Sequence, residues 1–120
     1  MHEVYGYIVD EEIDFIKEAK AFIKREEYLP AAEMLSAFLQ INPGNLLIYK
    51  KLLTLYLILD MKSCFEEALT NLSTLHPGNE LVLNAIDKGL KHYPKSPVIK
   101  QLFKDNENEV NCFISGVLHA

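Results

Sequence analysis

The stretch Ile41-Asn42-Pro43-Gly44-Asn45 returns as Leu75-His76-Pro77-Gly78-Asn79, so the two prolines lie 34 residues apart. Each copy stands between two long runs with helical periodicity. Proline ends a helix because it lacks an N–H and its ring clashes with the preceding turn. Glycine tolerates a reversed backbone, and asparagine is a good cap for the next helix. The 34-residue period of helix, turn, helix and turn predicts an all-helical chain of repeated helix pairs.

The period and the cap residues together predict where the helices begin and end. Ser63 and Glu66 have the spacing of a capping box, and Ser96-Pro97 is typical of a helix start. The predicted helices run from Asp10 to about Glu26, from Pro30 to before Pro43, from Asn45 to near Asp60, from Ser63 to before Pro77, from Asn79 to near Tyr93, and onward from Ser96. Residues 27–29 are predicted to form the first turn. A last apolar stripe, Val110 to Leu118, is either a seventh helix or a continuation of the sixth.

Composition fits one soluble globular domain, with 120 residues, 49% hydrophobic and 24% charged. We predict a loose N-terminal arm over residues 1–9 and a single domain over residues 10–120. The net charge of −5 argues against a nucleic-acid partner. The N-terminus lacks a basic region followed by an apolar core, and the apolar run over residues 52–59 is too short to span a bilayer. A cytoplasmic protein without membrane insertion is expected.

Enzyme chemistry finds little support in the sequence. Cys64 and Cys112 are far apart and form no C-x-x-C pair, so free thiols of a reducing compartment are expected. None of the four histidines has a metal-ligand spacing. Acidic residues adjacent on a helix do not face one site. We therefore predict no catalytic site, no metal and no cofactor.

The chain resembles the tetratricopeptide-repeat family over residues 12 to about 113. Phe15, Ala19 and Phe22 stand for pattern residues of the first unit, and Pro43 closes it. The resemblance implies a superhelix of about three 34-residue units with six or seven helices. Ala19 and Ala31 are expected to face each other in the first helix pair. Places that usually hold small residues carry Leu53, Phe65 and Asp87, so the helices around Leu53 and Phe65 are expected to sit further apart or to cross differently.

The resemblance also implies a concave groove lined by the first, third and fifth helices. Residues opposite the packing face of those helices are the expected partner-binding set: Ile16, Lys17, Lys20, Ile23, Lys24, Leu47, Lys50, Lys51, Thr54, Leu57, Leu81, Asn84, Lys88 and Lys91. The set is rich in lysine and has no acidic member, although the whole chain is acidic. An apolar floor with a lysine rim suits an amphipathic, acidic segment of a partner protein. The alternative is that these lysines are only a solvated helix face.

The sequence thus predicts a protein-binding adaptor or chaperone. Its small size and truncated array resemble those of the small tetratricopeptide-like chaperones of bacterial type III secretion, which hold an amphipathic helix of an apparatus subunit in the groove. The alternative is a scaffold that self-associates through its third unit and last helix. A hetero-oligomer with the partner and a homodimer both remain open.

Overall fold

The computed structural model describes residues 15–107, and these residues form six helices and no strand. The helices are α1 (15–24), α2 (Tyr28–Ile41), α3 (Leu46–Ile58), α4 (Lys62–Leu75), α5 (Glu80–His92) and α6 (97–107). The predicted all-α fold class is confirmed. The expected arm over residues 1–9, the predicted helix start at Asp10 and the apolar stripe that begins at Val110 lie outside the described residues.

The 34-residue period appears in the helix boundaries themselves. Helices α2 and α4 begin at residues 28 and 62 and end at residues 41 and 75. The helices α1, α3 and α5 end at residues 24, 58 and 92. Each step is 34 residues, so the chain repeats one helix–turn–helix design in its backbone as well as in its sequence.

Three of the predicted N-caps are confirmed. The side-chain oxygen of Asn45 accepts a hydrogen bond from the amide of Ile48 at 3.1 Å. Asn79 accepts from the amide of Leu81 at 2.8 Å, and the hydroxyl of Ser96 accepts from the amide of Ile99 at 3.2 Å. Each cap satisfies a backbone donor that has no partner inside the helix.

The predicted Ser63–Glu66 capping box and the turn over residues 27–29 are wrong. Helix α2 begins at Tyr28, and α4 has Met61 at its N-cap with no side-chain capping bond, so Ser63 already lies inside the helix. A left-handed residue precedes each of these helices, Glu26 (φ 61°) before α2 and Asp60 (φ 55°) before α4, and the two are one repeat apart. The third equivalent is Pro94, whose ring fixes a negative φ.

The two Pro-Gly turns differ in their glycines. Gly78 adopts a left-handed backbone with φ of 73°, which glycine reaches without steric penalty. Gly44 does not adopt a left-handed φ, so the expected reversed backbone is found only in the second turn.

The chain divides into two compact units, residues 1–59 and 60–120. In the first unit α2 packs on α3. The ring centroids of Phe15 on α1 and Phe38 on α2 lie 4.9 Å apart. Ala19 and Ala31 are both fully buried, as a close helix pair requires. Their direct contact and the single domain over residues 10–120 stay predictions.

In the second unit α4 packs on α5 around a core that includes Phe65, Leu69, Leu72, Val82 and Ile86. The fully buried ring of Phe65 fits because α5 has a glycine opposite it. A β-carbon on Gly89 would lie 2.7 Å from Cε1 of Phe65 and 3.2 Å from Cδ1 of Ile99. The wider spacing or different crossing expected at Leu53 and Phe65 concerns α3 and α4 and stays a prediction.

Candidate partner-binding surface

Helix α3 carries an exposed stripe whose residues are spaced three or four positions apart. Its members are Leu47, Lys50, Thr54 and Ile58, which lie along one face of a helix. Leu47 is 48% exposed and Ile58 is 54% exposed. We call these four residues the α3 stripe. Lys51 and Leu57 flank it and are half-buried, whereas the opposite face of the helix is buried in the first unit.

The charge on α3 is entirely basic, because Lys50 and Lys51 are its only ionisable residues besides two buried tyrosines. Among residues 15–107 no carboxylate lies within ion-pair distance of either ammonium group. The hydroxyl of Thr54 donates to the carbonyl of Lys50 at 2.9 Å, so its oxygen is left free to accept. The α3 stripe is therefore apolar at both ends, basic one turn from the first end, and a hydrogen-bond acceptor in between.

Helix α1 adds a second stripe within the first unit. Lys17, Lys20 and Lys24 are exposed, and Ile16 and Ile23 are half-buried beside them. Helices α1 and α3 of the first unit thus both combine exposed lysine with a half-buried apolar side chain, which on α3 is Leu57.

Helix α5 carries the corresponding stripe of the second unit. Asn84, Lys88 and Lys91 are exposed and Leu81 is half-buried. Nζ of Lys91 lies 3.1 Å from Oδ2 of Asp87, one turn earlier on the helix, and both side chains are largely exposed. An ion pair this exposed stabilises little, but it places a carboxylate beside the predicted basic rim. The α5 stripe is thus less basic than the sequence suggested.

None of the fourteen predicted partner-binding residues is buried. The exposed members are Lys17, Lys20, Lys24, Leu47, Lys50, Thr54, Asn84, Lys88 and Lys91; the half-buried members are Ile16, Ile23, Lys51, Leu57 and Leu81. Each of the three helices therefore presents its own stripe to solvent. Phe103 on α6 is a further exposed apolar side chain, at 47% exposure.

Sequence reasoning missed a polar cluster that connects two turns of the second unit. The hydroxyl of Tyr93 donates to Oδ1 of Asp60 at 2.7 Å, and Nε2 of His92 lies 3.5 Å from the same oxygen. Burial, the hydrogen bond and the negative charges of Asp60 and Glu66 raise the pKa of Tyr93 to about 12. The left-handed turn before α4 is thereby held to the end of α5.

Two further polar residues bind α6 to the rest of this unit. The buried side chain of Asn106 donates to Oγ of Ser73 at 2.9 Å and to the carbonyl of Leu102 at 2.8 Å, and it accepts from the amide of Gly78 at 2.9 Å. Ser96 donates its hydroxyl to the carboxylate of Glu66. Glu66, expected to cap α4, therefore binds the start of α6 instead.

Among residues 15–107 there is no group of three or more histidine, cysteine, aspartate or glutamate residues that could hold a metal ion. Cys64 is a free, half-buried thiol, and Cys112 lies outside the described residues. In the same part of the chain, no helix has both the length and the apolar character that a membrane span requires.

Comparisons with protein-family models, with curated proteins and with solved structures found no match. Support for a function therefore comes from the three stripes and the chemistry of their side chains.

Proposed function

We propose that this chain is a protein-binding helical-repeat adaptor or chaperone that holds an acidic, amphipathic segment of a partner protein. One observation carries the proposal: the α3 stripe exposes two large apolar side chains on a helix whose only charges are Lys50 and Lys51. Exposed apolar side chains along one face of a helix, with polar residues between them, can anchor the apolar face of a partner helix. The basic charge selects an acidic ligand.

The stripes of α1 and α5 extend the same chemistry. Each places a half-buried apolar side chain beside exposed lysines, as Ile23 beside Lys20 on α1 and Leu81 near Lys88 on α5. An amphipathic helix buries its apolar face on such a surface and places its charges against the rim. Apolar contacts then determine how long the complex lasts, while lysines accelerate its formation.

We further propose a narrower identity, a small tetratricopeptide-like chaperone that shelters an apparatus subunit of bacterial type III secretion in the cytoplasm. It is supported by the resemblance of the sequence and by the 34-residue spacing of helices α1, α3 and α5, which end at residues 24, 58 and 92. In that role the partner segment is one that aggregates when it is left uncovered.

The test is affinity capture of the full chain from its native cells, followed by mass identification and measurement of binding to the purified partner. The wild type is compared with Lys50→Glu combined with Lys51→Glu. The matched control is Lys100→Glu combined with Lys104→Glu, which reverses two exposed lysines on α6. A discrete partner with an acidic amphipathic segment, lost in the α3 variant and kept in the control, supports the proposal.

Two outcomes contradict it. Equal loss in both variants means that binding follows net charge and not the α3 stripe. A chain that recovers only itself, as a stable homodimer by light scattering, supports the scaffold alternative instead.

A further inference from the structure

The order of side chains along the α3 stripe is asymmetric. Leu47 stands at one end, Lys50 one turn later, Thr54 two turns later and Ile58 three turns later. With a rise of about 1.5 Å per residue, the two apolar ends are about 16 Å apart along the axis. The basic group is about 5 Å from one end and about 12 Å from the other, so the two directions along the stripe differ chemically.

A helix lying along this stripe would match it residue by residue. Apolar side chains eleven positions apart on the ligand would cover Leu47 and Ile58. A carboxylate between them would meet Lys50 and Lys51, which have no acidic neighbour on α3. The residue opposite Thr54 would be a hydrogen-bond donor, because the threonine proton is already given to the carbonyl of Lys50.

We infer that the bound segment is a helix with two apolar residues at positions i and i+11 and an acidic residue between them, one turn from one apolar residue and two turns from the other. This inference rests on the proposed function and names the sequence pattern that the partner carries. If the ligand lies parallel to α3, the acid stands at i+3 or i+4. If it lies antiparallel, the acid stands at i+7 or i+8.

Three synthetic helical peptides of one composition test the pattern against the full chain. The first has glutamates at i+3 and i+4, the second at i+7 and i+8, and the third places both glutamates outside the two apolar residues. We expect either the first or the second peptide to bind at least about tenfold more tightly than the other two, because only its glutamates lie opposite Lys50 and Lys51. The preferred peptide gives the orientation.

Charge exchange provides the sharper readout. Lys50→Glu with Lys51→Glu should weaken binding of the preferred peptide about tenfold, and a peptide with lysines in place of its glutamates should bind this variant better than it binds the wild type. The control pair Lys100→Glu and Lys104→Glu should change neither value. Rescue by the exchanged peptide cannot arise from a variant that is merely misfolded.

The inference is overturned if all three peptides bind equally, if none binds, or if charge exchange fails to restore binding. The proposed function fails separately. If no peptide binds but a native partner is captured through Lys50 and Lys51, the inferred sequence pattern is wrong and the proposed function stands. If the chain captures no such partner, both the pattern and the proposed function are wrong.

Discussion

A β-carbon placed on Gly89 would lie 2.7 Å from the ring of Phe65. The phenylalanine on α4 thus fills the space that a side chain at position 89 on α5 would need. One repeat earlier the corresponding residues are Leu55 and Ala31, both buried. The large and the small residue have exchanged helices at positions related by the 34-residue period. At these two positions the combined size of the side chains is thus similar in the two units.

The first prediction is that Gly89→Ala destabilises the protein by about 1 kcal/mol. Alanine in a helix gains up to about 1 kcal/mol over glycine, but forcing a methyl group into this space costs about 1–3 kcal/mol. Gly44→Ala is the control, because nothing lies within 4 Å of its β-carbon and its φ is not left-handed. It should leave the urea midpoint unchanged or slightly raised. Equal midpoints for the two variants would contradict the close approach at Gly89.

The exchange itself gives the second prediction. Phe65→Ala alone should cost about 3–5 kcal/mol, as removal of a buried ring usually does. Adding Gly89→Leu recreates the pair found in the first unit and should recover part of that loss. The measurement is a double-mutant cycle by urea unfolding. A double variant no more stable than Phe65→Ala would mean that the two positions do not share one volume.

The repeat, three caps and all six helices could be predicted from the sequence because they depend on local signals, such as Pro43, Asn45 and Ser96. The Gly89 contact could not, since it depends on which residue of another helix faces the glycine. The buried position of Asn106 could not be predicted either, because a polar residue breaks apolar periodicity whether it is solvated or satisfied inside the core. The fourteen predicted partner-binding residues could be chosen by helical spacing. The ion pair of Lys91 with Asp87 could not be predicted, because it depends on side-chain geometry.

The third prediction concerns that buried asparagine. Asn106→Ala leaves the amide of Gly78 and the hydroxyl of Ser73 without their partner, and an unsatisfied buried polar group costs about 1–3 kcal/mol. We expect a loss of about 2 kcal/mol and faster hydrogen exchange at the Gly78 amide. Asn71→Ala, at an exposed position on α4, should change neither. Slow exchange at Gly78 in the Asn106 variant would mean that another group replaces the side chain.

The fourth prediction uses the phenol of Tyr93, whose pKa is raised to about 12 by burial and then by its hydrogen bond to Asp60 and the negative charges nearby. Because the folded pKa lies above the ordinary value of about 10, the phenol's contribution to stability is complete below pH 10. It is lost as the pH rises from 10 towards 12. Asp60→Asn should lower the pKa only in part, since burial remains. Tyrosine ring NMR across this pH range, assigned with Tyr93→Phe, measures the shift. Asp87→Asn, whose carboxylate pairs with Lys91, should leave it unchanged.

The last prediction separates the two kinds of side chain on α3 by the kinetics of partner binding. Exposed lysines attract an acidic ligand over a distance that salt shortens to about 8 Å at physiological ionic strength. Lys50→Glu with Lys51→Glu should therefore slow association and flatten its dependence on salt, with a smaller effect on dissociation. Ile58→Asp, at a position 54% exposed, should instead speed dissociation and keep the fold. Leu29→Asp, 46% exposed on α2, is the apolar control and should alter neither rate. Leu57→Asp, at the half-buried neighbouring position, should also speed dissociation and should in addition lower the stability of the fold. If the association rate of the wild type does not change with salt concentration, the lysines of α3 do not attract the partner and are only a solvated helix face.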